Sequence, residues 1–215
     1  MDSYKRNQIE EAISAMIGQG PIPSAELKTE LKRLLDTDRS REFNLDFNNP
    51  EETNYAFYSG EARGSGTEIW FSGYEAFALL KGLELMEHRW PQATAISILR
   101  RVRRALEPKH AEILQWDPNE LFDERKIREA ARPGTLAVWT TRPVHLVIAS
   151  RKGRPIEQSS DDTREVMVLE NDALMQLFRQ KPGLSATMIE LTRTAHDLHK
   201  ALAKTKPSKR GRSSS

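Results

Sequence analysis

His196 and His199, one helical turn apart with Asp197 between them, come closest among this chain's residues to the spacing of a metal pair. No third ligand accompanies them at recognisable spacing, so they read as surface side chains, and His110 and His145 stand alone. The adjacent acids Glu51-Glu52 and Asp161-Asp162 sit in loop sequence and diverge, which suits solvent better than paired acid and base work. The glycines of GEARGSG, residues 60–66, lack the Lys-Ser/Thr of a phosphate loop and precede a strand-like run where a helix start is required. No G-x-S-x-G is present, and with no cysteine there is neither a thiolate ligand nor a thiol nucleophile. Catalysis, metals and cofactors are therefore not expected, and the remaining chemistry is cationic. Ser24, Lys28, Thr29, Lys32 and Arg33 fall on one helical face, Arg63 sits at the tip of a glycine-rich loop, and Arg100, Arg101, Arg103 and Arg104 crowd a later helix. Such groups meet phosphate, although Glu26 and Glu30 share the first helix and oppose them.

The composition of the 215 residues, 38% hydrophobic and 30% charged, is that of a soluble globular chain. Its net charge of +2 hides an asymmetry: residues 204–215 hold Lys204, Lys206, Lys209, Arg210 and Arg212 and no acid, leaving the rest at 2 − 5 = −3. This end reads as a disordered basic arm that touches nucleic acid nonspecifically or simply solubilises the chain. Absence of a long apolar run and of an apolar amino-terminal stretch predicts a cytoplasmic protein with no membrane partner.

The elements that must position these residues begin with a helix, a turn and a second helix over residues 4–35. Gly18, Gly20, Pro21 and Pro23 make the turn, Ser24 is the N-cap, and Leu27, Leu31 and Leu34/Leu35 form the buried stripe. YAFY at 55–58 and EIWF at 68–71 predict an antiparallel hairpin with Arg63 at its tip. Ser72 and Glu75 form a capping box that starts a largely buried helix at Gly73, ending near His88. Pro91 opens another, with Ala95, Ile98/Leu99, Val102 and Leu106 on its apolar side. Beyond it, Pro108 and Pro118 punctuate helical pieces near 109–116 and 119–131. Runs at 136–141, 144–150 and 165–170 predict a small antiparallel sheet, followed by a helix capped by Asn171 or Asp172. Leu184, Met188, Leu191, Ala195, Leu198 and Leu202 predict a final helix whose seam packs at home or pairs with a second copy. The fold class is α+β and mainly helical, with units at 1–106 and 107–204 and a tail at 205–215.

The order of elements from Thr67 to Val102 resembles the second half of a MerR-type winged helix-turn-helix domain. Trp70-Phe71-Ser72 stands for the wing strand, Tyr74-Glu75 for the helix start, Trp90-Pro91 for the break, and Ile96-Ser97-Ile98-Leu99 for the next helix. Residues 4–35 supply the helix-turn-helix, so the resemblance covers roughly residues 4–106. The turn GQGPIPS and the connection 36–54 are longer than in that family, and Leu31-Lys32-Arg33-Leu34-Leu35 replaces its arginine followed by aromatics. The resemblance implies a homodimeric regulator that binds duplex DNA through Ser24, Lys28, Thr29, Lys32, Arg33, Arg63, Arg100 and Arg101, with residues 107–204 for self-association or regulation. In that frame Trp70, Trp90, Trp116 and Trp139 read as core and wing-packing residues rather than a base-stacking platform. A protein-interaction module using the same basic faces against an acidic partner is the alternative.

Overall fold

The computed structural model describes residues 3–41, 49–59, 69–131, 139–150 and 164–207. The chain is α+β and mainly helical. It opens with a strand rather than a helix: β1 (Ser3–Lys5) pairs antiparallel with β2 (Trp70–Ser72), setting buried Tyr4 opposite buried Phe71. Helix α1 (Arg6–Met16) follows directly and buries Ile9, Ala12 and Ile13. Gly18 and Gly20, both at positive φ, turn the chain into α2 (Ala25–Ser40), where Ser24 Oγ accepts from the Leu27 amide at 3.1 Å.

Ahead of β2 the expected hairpin is not formed by 55–58. After the short α3 (Pro50–Thr53), Tyr55, Ala56, Phe57 and Tyr58 run without a strand partner, yet all four are buried. Side chains replace the missing ladder, because buried backbone groups must be paired. Asp38 of α2 accepts from the Ala56 and Phe57 amides at 3.2 and 3.0 Å, and Arg103 donates to the Tyr55 and Tyr58 carbonyls. Phe57 then packs on α4 (Gly73–Glu87) at Gly82, where a Cβ would stand 3.3 Å from both the Phe57 ring and Leu34.

The capping box forms as the sequence predicts: Glu75 takes the Ser72 amide at 2.7 Å and Ser72 Oγ the Glu75 amide at 3.2 Å. Helix α4 is buried almost all round and forms the centre of the main cluster, against α2, β2, α5 (Gln92–Gln115) and α9 (Thr192–Lys204). Pro91, predicted as the first helical residue, is instead the N-cap of α5, which starts one residue later at Gln92. The larger departure is its length: α5 runs through residue 106 and Pro108 to Gln115. Proline removes one amide from the ladder, but Leu106, His110 and Ile113 continue the buried stripe, and burial outweighs the lost bond.

Two short helices, α6 (Pro118–Leu121) and α7 (Glu124–Ala130), follow on the aspartate caps Asp117 and Asp123. Residues 139–141 form bends where a strand is predicted, and 136–138 lie outside the described residues. β3 (Val144–Ser150) is the middle of a three-stranded antiparallel sheet in the order β4-β3-β5, flanked by β4 (Glu165–Glu170) and β5 (Ser185–Glu190). Helix α8 (Asn171–Gln180) connects the two edges, with Glu170 rather than Asn171 at its N-cap position.

β5 overturns the predicted long terminal helix, since residues 185–190 pair with 145–150 and the helix starts only at Thr192. The Thr192 hydroxyl marks the switch by accepting from the Val144 amide and donating to the Arg142 carbonyl. Leu191, Ala195, Leu198 and Leu202 are buried within the chain, where α9 packs on α1, α4 and α5, so this seam is not an exposed pairing surface.

Arg100 and Asp38 are both out of water, at 1% and 0% side-chain exposure and 2.7 Å apart. Removing one partner of such a pair strands the other, so Asp38→Ala is expected to cost about 3–5 kcal/mol. Urea denaturation of Asp38→Ala, Arg100→Met and the double variant checks this, with the double variant costing clearly less than the two singles together.

Candidate nucleic-acid interface

Helix α2 is held by one side and open on the other. Leu27, Leu31, Leu34, Leu35 and Asp38 are buried, while Glu26, Lys28, Thr29, Glu30, Lys32, Arg33 and Asp36 are exposed. Two cross-links fix its orientation: Arg6 donates to the Lys28 carbonyl at 3.2 Å, and Gln92 Nε2 donates to the Arg33 carbonyl at 3.1 Å. Among the described residues, no acid pairs with Lys28, Lys32 or Arg33. Their three positive charges are nevertheless balanced along the helix by Glu26, Glu30 and Asp36, so the face is polar and mixed rather than strongly cationic. Thr29 donates its hydroxyl to the Ala25 carbonyl at 2.8 Å, and Ser24 Oγ accepts from the Leu27 amide, so both hydroxyls are held against the helix backbone.

The other predicted contacts do not join this face. Arg100 is a core residue: its guanidinium donates to the Asp38 carboxylate at 2.7 Å, to the Asp38 carbonyl and to the Glu51 carbonyl at 2.7 Å, and it lies over the Tyr55 ring. It cannot reach DNA without unfolding the segment it holds. Arg101 is engaged as well, donating to the Arg164 carbonyl at 2.8 Å with its Nε 3.7 Å from Glu51. Arg103 is buried against the 55–59 segment, with Glu107 at 3.0 Å. Arg100, Arg101 and Arg103 are thus structural, whereas Arg104 is exposed, with its guanidinium 3.5 Å from the Thr53 hydroxyl. Arg63 lies outside the described residues.

Three basic side chains gather around the far side of α4. Lys81 is fully buried, and its Nζ donates to Glu84 at 2.9 Å and to the Glu190 carbonyl at 2.8 Å; burial lowers its pKa while Glu84 opposes the shift. His110 packs against Phe77 and Tyr74, and burial, with His199, His196 and Lys81 nearby, brings its pKa down to about 4. His196, expected at the surface, is buried instead, with Nε2 2.9 Å from the Ile113 carbonyl; since a carbonyl can only accept, that nitrogen carries the proton. His199 is exposed, so the pair does not converge on one ligand. Among the described residues, no group of three or more potential ligands comes together for a metal. None of these groups offers an accessible acid and base pair, and their role is to couple α4, α5, β5 and α9.

One structural residue was missed in the sequence although a signal existed. Asp38 continues the spacing of Leu27, Leu31 and Leu34/Leu35, and a carboxylate on a buried stripe requires a cation or amides to meet it. The tryptophans also divide differently from expectation: Trp90 and Trp116 pack on the core, whereas Trp70 is 47% and Trp139 73% exposed.

His110 sets a pH dependence. Its folded pKa of about 4 lies below its ordinary 6.5, so between these values the unfolded chain binds a proton that the folded chain refuses. Stability is therefore full above about pH 7 and falls as pH drops towards 4, by on the order of 3 kcal/mol from this group. Denaturation midpoints across that range are expected to fall less steeply in His110→Leu than in the native protein.

Compared with known protein families, curated proteins and solved structures, the chain gives no match.

Proposed function

We propose that this chain is a sequence-specific, non-enzymatic regulator that binds duplex DNA by presenting α2 to the major groove. The observation that carries the reading is the contrast between two sets of cations. Arg100 and Arg103 of α5 are taken up inside the fold and Arg101 is held by Glu51 and the Arg164 carbonyl, whereas Lys28, Lys32 and Arg33 stand exposed on a helix locked from behind, with no acid paired to them among the described residues. A recognition helix needs this arrangement, since base contacts depend on a rigid element carrying long polar side chains outward.

A second feature supports it. β1 leads straight into α1 and pairs with β2, which leads straight into the capped α4, so the amino-terminal strand and the strand before α4 share one small sheet. Lys5 lies over the half-exposed ring of Trp70 on that sheet, 5.1 Å from its centre, adding a cation and an aromatic surface next to the start of α1. Arg63 belongs to the chain that enters β2 and is proposed as a phosphate contact there.

The balance of charge on α2 limits the electrostatic part. Three phosphate contacts release few counterions, giving a slope of log affinity against log salt of about −3 from this helix, so recognition relies on placed hydrogen bonds more than bulk attraction. Two copies on a two-fold-related site belong to the same proposal, and their contact has to use a surface other than the α9 seam.

Selection of a bound sequence from a random duplex library, followed by titration at several salt concentrations, tests the reading. Lys28→Ala, Lys32→Ala and Arg33→Ala together are expected to weaken the selected duplex by at least about tenfold and to flatten the salt slope by up to about 3. If the triple variant binds as the native chain does, α2 is not the recognition helix. If no duplex is selected, the mixed charge of this face fits a protein partner instead.

A further inference from the structure

A separate surface forms where the end of α5, α6, the 139–142 segment and the start of α9 meet. Trp116 ends α5, and α6 turns the chain back to place Phe122 beside His196 of α9. The 139–142 segment is pinned to α6 by the Thr141 amide and hydroxyl, which donate to the Leu121 and Glu120 carbonyls at 3.0 and 3.2 Å. Three cations then lie on aromatic rings. Arg142 stacks on Trp116 at 4.0 Å from the ring centre, and Phe122 carries Arg193 at 4.8 Å and Lys200 at 5.9 Å. Arg193 also donates to the Trp139 carbonyl at 3.3 Å, and the Trp139 indole is 73% exposed.

Among the described residues the neighbouring acids form no ion pair with these cations, although Asp197 lies one turn from both Arg193 and Lys200 on α9. Asp117 and Asp123 cap α6 and α7, Glu120 takes Lys126, and Glu190 accepts the Arg193 and Thr194 amides at the start of α9. Among the described residues, no carboxylate pairs with Arg142, Arg193 or Lys200. A guanidinium stacked on a ring is held in place while its in-plane donors stay open. Cations fixed in this way beside an exposed indole combine phosphate binding with a surface for base stacking.

We propose that this face binds single-stranded nucleic acid, with Arg142, Arg193 and Lys200 meeting phosphates and a base stacking on Trp139. An acidic peptide would use the cations but leave the indole idle, and a duplex keeps its bases stacked on one another, so the exposed ring favours an unpaired strand. The face shares no residue with α2, so this inference and the duplex reading stand or fall separately.

The test uses the full chain and labelled oligothymidylate and oligouridylate of about 12 nucleotides, a length one such site covers, read by fluorescence anisotropy. Trp139→Ala is expected to weaken binding about tenfold and Trp139→Phe to recover most of it. Arg142→Gln with Arg193→Gln should weaken binding and flatten the salt slope by about 0.7 per lost contact. The Lys28, Lys32 and Arg33 variant should bind the single strand unchanged, and a preference for one of the two oligonucleotides assigns the strand as DNA or RNA. Melting by circular dichroism verifies that each variant is folded. The proposal is overturned if the native chain binds no more tightly than Trp139→Ala/Arg142→Gln/Arg193→Gln, which would leave the basic tail as the source. It is equally overturned if polyglutamate displaces the oligonucleotide as well as unlabelled oligothymidylate does, which would make the face a site for an acidic protein.

Discussion

Between α2 and α5, one carboxylate and one guanidinium are shut away from water, and the amino-terminal half of the molecule is arranged around them. Asp38 receives Arg100 on one side and the amides of Ala56 and Phe57 on the other. Burying two charges is costly, and the pair is tolerable only because the surrounding donors and acceptors are nearly all used. Arg100 also donates to the carbonyls of Asp38 and Glu51, while Arg103, one residue short of a turn further along α5, takes those of Tyr55 and Tyr58. The 55–58 segment can therefore sit in the core as irregular chain. Its aromatic rings supply apolar area, and its backbone is satisfied by side chains rather than by a neighbouring strand.

This constraint determines which cations can serve a ligand. Arg100, Arg101 and Arg103 of α5 face the segment they organise, or the acids beside it, because α5 lies under the 50–59 segment and beside β4. Helix α2 is turned so that its leucines and Asp38 look inward, which leaves Lys28, Lys32 and Arg33 outward. At the other end of the molecule the same logic gives a different result. Short helices consume their acids as caps, and Arg142, Arg193 and Lys200 settle on rings instead of carboxylates. In both places the available charge is what remains after local backbone needs have been met.

Elements announced by chemistry within a few residues were legible in the sequence. Ser72 with Glu75 and Ser24 ahead of the leucine stripe act on amides three positions away, so the information is local. Pro108 misled because its local cost is smaller than the burial of Leu106, His110 and Ile113, which depends on α4 and α9. The run from Leu184 to Leu202 misled because helical spacing and a strand followed by a helix place apolar residues at overlapping positions. Pairing with β3 decides between them.

The sequence by itself determined the mainly helical α+β class, the starts of α2 and α4, the stripes of those helices that face inward and the exposed polar edge of α2, since each rests on periodicity or on contacts within one turn. Only the tertiary structure decided that YAFY is clamped rather than paired, that β2 takes its partner from residues 3–5, and that Arg100 belongs to the core while Trp139 lies at the surface. These outcomes depend on groups brought together across tens of residues. A guanidinium has the same character in the sequence whether it will meet Asp38 or solvent, and only the fold supplies the partner.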